Sequence, residues 1–141
     1  MWVAARGSSS LRLRRQLGLG GRATVHGGDF YRDTLPRGAD LITLVRVIHD
    51  HDDAGAMRIL RAVHEALEPG GTLLLAEQMA DTPGALPMGD AYFGFYLLAM
   101  GRGRPRSAAT LRQMLAEAGF RSAHLLRSRV PLQVQLIAAE R

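Results

Sequence analysis

The sequence contains no cysteine, which excludes disulfide staples, thiolate zinc sites and cysteine nucleophiles together. Chemistry is left to His, Asp, Glu, Ser and Tyr. Lysine is absent too: all 18 basic residues are arginine, a usage closer to a GC-rich coding bias than to a surface built for phosphate. Residues 1–22 contain no acid and five of the arginines (Arg6, Arg12, Arg14, Arg15 and Arg22), whereas residues 23–141 balance 13 arginines against 13 acids. The net charge of +5 therefore sits in the leading segment, and nucleic acid is disfavoured as a partner of the body. No apolar run approaches the roughly 20 residues of a membrane-spanning helix. No basic stretch followed by an apolar segment of the signal-peptide kind is visible either, so a cytoplasmic location is expected.

What is present is the material of one globular domain: 141 residues, 47% of them hydrophobic, enough to bury a core. Residues 1–22 read as a poorly patterned basic leader or helix remnant, ending at Gly18-Leu19-Gly20-Gly21. From residue 23 the texture changes. Ala23-Thr24-Val25-His26 is a short strand candidate stopped by Gly27-Gly28-Asp29, and Phe30 to Asp40 is a loop punctuated by Pro36 and Gly38. Leu41 to Ile48 is nearly continuous and rich in β-branched residues, the pattern of a strand buried on both faces of a parallel sheet. Asp52 or Asp53 offers an N-cap for a helix with Ala56, Leu60, Val63 and Leu67 in one stripe, ended by Pro69-Gly70-Gly71. Thr72 to Glu77 is the next buried strand. Strand, helix and strand with short turns make a βαβ unit, hence a parallel pair.

Beyond a turn with Pro83 and Pro87, residues 91–100 are apolar on every side and hold four of the eight aromatics. They suit a packed core helix, a dimer interface or the wall of an apolar pocket equally. Ser107 caps a last helix with the stripe Leu111, Met114, Leu115 and Ala118, and Gly119 ends it. Strands around residues 123–126 and 134–138 close the chain. The fold expected is α/β: a mostly parallel sheet with a closing antiparallel strand.

In such sheets ligands bind beyond the carboxyl ends of the strands. Three candidates meet that condition: Asp29 with Phe30, His49 with Asp50, and Glu77. A lone histidine after a strand is more often structural than catalytic; three polar groups at three strand ends shift the balance towards a site.

The spacing Gly27-Gly28-Asp29-Phe30, His49-Asp50, Pro69-Gly70-Gly71, Leu75-Ala76-Glu77 resembles the second half of the class I S-adenosylmethionine-dependent O-methyltransferases, over roughly residues 17–141. The resemblance implies a Rossmann-like catalytic domain of which residues 23–141 are the C-terminal part. It implies cofactor binding at Gly28, Asp29 and Phe30, with the carboxylate accepting from the adenine amine and the aromatic packing on the ring. It implies His49 as the base that deprotonates an acceptor hydroxyl, flanked by Glu77, with Asp50 as the other candidate to fix its tautomer. It also implies S-adenosylmethionine as cofactor, no metal, and a homodimer for the full-length enzyme. The stretch from Met88 to Ser107 looks most like the bacterial carotenoid branch, the hydroxyneurosporene and demethylspheroidene O-methyltransferases, which implies a small apolar hydroxylated acceptor such as a carotenoid. A tertiary alcohol of that kind is a poor nucleophile at neutral pH, which is why a positioned base is needed.

Departures from the family are equally specific. His51 stands where the family usually has Trp, Val45 where some relatives have a cofactor-contacting lysine, and Pro105 where plant relatives carry a second glutamate before an Arg-Thr pair. The glycine-rich cofactor loop and the acidic ribose-binding strand are not found; Gly18-Leu19-Gly20-Gly21 follows an arginine-rich stretch and leads into a strand, the reverse of the required context. The alternative enzyme reading is a metallo-hydrolase with His49, His51 and Asp53 as metal ligands, although Ala54 replaces the next histidine of that motif. A non-catalytic fragment is the third reading.

Overall fold

The computed structural model describes residues 26–83 and 103–141, together with residues 16 and 18. The helix expected in the leader, most of the strand at 23–26 and the aromatic stretch 91–100 lie outside the described residues.

Strand β1, Ala39–Val45, runs into a single 3-10 turn at Ile48–Asp50. Helix α1, Asp53–Ala66, follows. Its cap is Asp52, whose carboxylate accepts from Gly55 N at 2.8 Å, satisfying one of the amides the first helical turn leaves without a partner. Ala56, Ile59, Leu60 and Val63 are fully buried. Each large one contributes about 1.5–3 kcal/mol by leaving water. Strand β2, Leu67–Glu77, pairs with β1 in parallel, Leu41 opposite Thr72 through Val45 opposite Ala76. The expected βαβ unit is there.

Two short strands, β3 (Met79–Ala80) and β4 (Arg106–Ser107), pair with each other. They bring the segment before the last helix to the end of β2. Ser107 then caps α2, Ala108–Glu117, by accepting from Thr110 N at 3.0 Å. Gly119 follows at φ +109, the left-handed position a helix ending of this kind requires. The last strands are β5, Ser122–Leu126, and β6, Gln135–Glu140.

The sheet order is β1-β2-β6-β5. Strand β6 runs antiparallel to both neighbours, so β1, β2 and β5 share one direction and the final strand closes against them. One face carries Ile42, Leu44, Leu73, Leu75, Ile137 and Ala139, all buried in a single cluster with the stripes of α1 and α2.

The bounds of both strands of the βαβ unit differ from the sequence expectation: β1 begins at Ala39, within the expected loop, and Leu67, expected in the helix stripe, opens β2. Strand β1 ends at Val45 instead of Ile48, because Arg46 takes φ 55 and turns the chain out of the strand before the apolar run is finished. Nor is β1 buried on both faces: Leu41 is 51% and Val45 58% exposed. It lies at the edge of the described sheet, and what covers a strand's second face is decided by its neighbours. Strand β2 also begins earlier, at Leu67. Pro69, Gly70 and Gly71, expected only to end the helix, belong to an irregular start where the β1–β2 register shifts between Ala39 and Leu41.

Candidate active site

The turn between β1 and α1 is built around Ile48, which is fully buried and pins the turn to the core. The next residue, His49, is only 6% exposed. Its companion arrives from β2. Glu77 closes that strand on the buried face, in line with Leu73 and Leu75, and is 1% exposed. Its Oε1 accepts from Val47 N at 2.9 Å and Ile48 N at 2.8 Å, and its Oε2 lies 2.5 Å from His49 Nδ1. A buried carboxylate needs donors to offset its lost hydration, and the turn supplies three.

This arrangement fixes the imidazole. With Nδ1 facing the carboxylate, Nδ1 carries the proton and Nε2 is the nitrogen that takes up or releases a second one. Nε2 lies 3.2 Å from Asp50 Oδ1. The His49 pKa is raised above the ordinary 6.5, first by the hydrogen bond to Glu77, against the opposing effect of burial, with the charges of Glu77 and Asp50 adding to it. Of the two carboxylates considered for fixing the tautomer, Glu77 holds Nδ1; Asp50 stands at the other nitrogen, half exposed.

The residues after His49 are engaged differently. His51 Nδ1 lies 2.5 Å from the Tyr31 hydroxyl, and burial lowers the His51 pKa. Asp53 is ion-paired to Arg104 and Arg106. The three side chains of the metallo-hydrolase reading thus have separate partners. Among the described residues no group of His, Asp or Glu converges on a point that suits a metal.

The Gly27–Phe30 segment forms its own turn. Asp29 Oδ1 accepts from Tyr31 N at 2.8 Å, and Asp29 N donates to Asp33 Oδ2 at 2.7 Å. Gly28 lies so close that a Cβ there would meet Asp33 Oδ2 at 3.2 Å. Phe30 packs against the core while also bordering a cavity of about 150 Å³ lined by Gly27, Gly28, Asp29, Leu35 and Pro36. The Asp29 carboxylate is 45% exposed; its Oδ1 caps the turn and its Oδ2 lies 3.9 Å from Arg32 Nε. By contrast, the cleft bordered by His49, Glu77, Arg104, Arg106 and Leu111 has no water-sized space. Beside it, Gln78 Oε1 is buried without a hydrogen-bond partner among the described residues.

His49, Asp50 and Glu77 are thus brought together, while Asp29 and Phe30 connect to them through Tyr31 and His51. Sequence reasoning missed Tyr31 and did not assign Arg106 a role. A tyrosine directly after the Asp-Phe turn, in a sequence where His51 replaces the usual Trp, was the available signal for the first.

Residues 10–121 match the family model of the O-methyltransferase domain. The chain is 47% identical over 116 residues to a demethylspheroidene O-methyltransferase of Rhodobacter capsulatus, an alignment covering 81% of this chain and 29% of that protein. Its fold is similar to the solved structure of a mitomycin 7-O-methyltransferase, with TM-score 0.83 and 29% identity over 94% of this chain and 38% of that one. It is also similar to the human N-acetylserotonin methyltransferase solved in complex with SAM, with TM-score 0.67 and 29% identity over 82% and 33% of the two chains. The chain spans less than a third of the length of the curated relative described.

Proposed function

This chain belongs to the family of O-methyltransferase domains, and from that premise we propose that it carries the acceptor-side chemistry of an S-adenosylmethionine-dependent O-methyltransferase. The observation that carries the proposal is the buried His49–Glu77 pair joining the ends of β1 and β2. In this reading residues 23–141 are the C-terminal part of the catalytic domain and residues 1–22 a basic leader or helix remnant, the family match beginning within it at residue 10. His49 Nε2 takes the proton of the acceptor hydroxyl. The imidazolium so formed lies between the Glu77 and Asp50 carboxylates, whose charges stabilise it. Such a base contributes about 10²–10⁴-fold.

S-adenosylmethionine, when bound, supplies an electrophilic methyl group. The residues that fit it are those of the Gly27–Phe30 turn: a part-exposed Asp29 carboxylate to accept from the adenine amine, with Gly28 and Phe30 shaping the adjoining cavity. That is one end of a cofactor site. The acceptor is a small apolar hydroxylated molecule. A hydroxylated carotenoid is the first to try, given the name of the Rhodobacter relative; the N-acetylserotonin enzyme among the similar structures makes an indole acceptor the second. No helix among the described residues is long and apolar enough to cross a membrane. A homodimer of the full-length enzyme belongs to the same proposal through the family resemblance, and a cytoplasmic location through the sequence expectation.

The test is transfer of labelled methyl from S-adenosylmethionine to demethylspheroidene. It is made with a chimera in which the N-terminal part of the Rhodobacter relative precedes residues 17–141. His49→Ala is expected to cut transfer by about 10²–10⁴-fold with unchanged cofactor affinity. Transfer at the unsubstituted rate would remove His49 as the base.

A further inference from the structure

The turn that presents His49 is held from two sides, and the mechanism above uses only one of them. Its amides are held by Glu77; its carbonyls are held by an arginine 57 positions further along the chain. Arg106 is 4% exposed. Its Nη1 donates to Ile48 O at 2.9 Å and its Nη2 to His51 O at 2.8 Å, the carbonyls on either side of the His49-Asp50 pair. Its Nε and Nη2 meet Asp53 Oδ1 at 3.0 and 2.8 Å, fixing the guanidinium to the first residue of α1. The same segment touches the carbonyl of His49 itself: Arg104 N donates to it at 3.0 Å, and a Cβ on Gly103, which sits at φ +91, would overlap it.

We propose that Arg106 is a positioning residue for His49, gripping the backbone on both sides of it so that the imidazole is held against Glu77. The inference rests on the reading of His49 as the base for its catalytic consequence, but not for its geometry.

A structural role alone accounts poorly for the arginine. Burying a guanidinium is costly before its partners offset it, and its ion-pair partner Asp53 is 52% exposed, so the pair itself adds little to stability. A planar fork does one thing an apolar side chain does not: it holds several acceptors in fixed relative positions. Here those acceptors bracket the base. Placement matters at this scale, because a displacement of about 1 Å in a reacting group can cost about 10²-fold in rate.

Arg106→Lys separates position from charge, since lysine keeps the cation and loses the fork. The readout is NMR titration of the His49 imidazole in the 141-residue chain, together with the downfield resonance of its Nδ1–H bonded to Glu77. If Arg106 positions the ring, Arg106→Lys lowers the titration midpoint towards 6.5 and loses that resonance, while urea unfolding stays cooperative. If Arg106 acts only through charge or general stability, the midpoint and resonance are unchanged in the folded variant, and the inference is overturned.

Should Arg106→Lys not fold, Arg106→Gln carries the test, because its amide can donate to one of the two carbonyls but not bracket the pair; an unmoved midpoint there also overturns the inference. Asp53→Asn removes the ion pair and keeps both carbonyl bonds, so it is expected to leave the midpoint in place. A fall as large as that of Arg106→Lys would assign the effect to the ion pair instead and sink the clamp. In the chimera, Arg106→Lys is expected to lower kcat by about 10²-fold with KM unchanged. A shifted titration with unchanged kcat would leave the clamp standing and overturn His49 as base.

Discussion

His49 works, in the proposed reaction, only when it has lost its second proton. Its pKa is raised above 6.5, chiefly by Glu77, so methyl transfer by the chimera is expected to rise with pH through a midpoint above 6.5. Glu77→Gln removes the principal cause. The midpoint should move to lower pH and the plateau rate should fall, since the imidazolium loses its anionic partner; a pH–rate profile unchanged by the substitution would dissociate the pair from the chemistry. The same shift acts on stability. A folded-state pKa above the unfolded value stabilises the fold fully below about 6.5, and that contribution disappears as pH rises through the folded value. The three polar residues of this cluster were legible in the sequence because each closes or follows an apolar run. Arg106 was not. An arginine just before a helix cap reads as surface, and its acceptors, Ile48 and His51, lie 58 and 55 positions away.

The helices were the most readable elements. An apolar stripe repeats every three to four residues only if one face is to be buried, and both stripes are buried in the core cluster. The caps belong to the same local chemistry. Asp52→Ala and Ser107→Ala should each cost about 1 kcal/mol, read as a lower urea midpoint at unchanged slope; no change would mean that the first-turn amides find other partners. The strands were readable in identity and less so in extent. The run Leu41 to Ile48 does not show that Arg46 leaves the β region, because a single backbone reversal has no hydrophobic signature. Likewise the Pro-Gly-Gly that stops α1 does not reveal that the chain is already alongside β1.

At the scale of the molecule, the proposed cofactor contact among the described residues is the Gly27–Phe30 turn and its cavity, and no glycine-rich strand-to-helix loop was identified in the sequence. Calorimetry of the 141-residue chain with S-adenosylmethionine should therefore show no binding at micromolar concentrations, and a micromolar Kd would mean that the turn suffices. Among the described residues the sequence by itself determined the two helices, the cap at Ser107 and the apolar runs that form the four-stranded sheet, and that His49, Asp50 and Glu77 are polar groups at the ends of such runs. Those properties are carried by periodicity and by neighbours a few residues apart. The tertiary structure decided the rest: that Glu77 and Arg106 close on one turn from opposite sides, that His51 and Asp53 are committed to Tyr31 and the arginines, and that Leu41 and Val45 lie exposed. Each of these depends on residues about 20 to 58 positions apart, or on which neighbour covers a face, and burial makes such pairings necessary without naming the partner in advance.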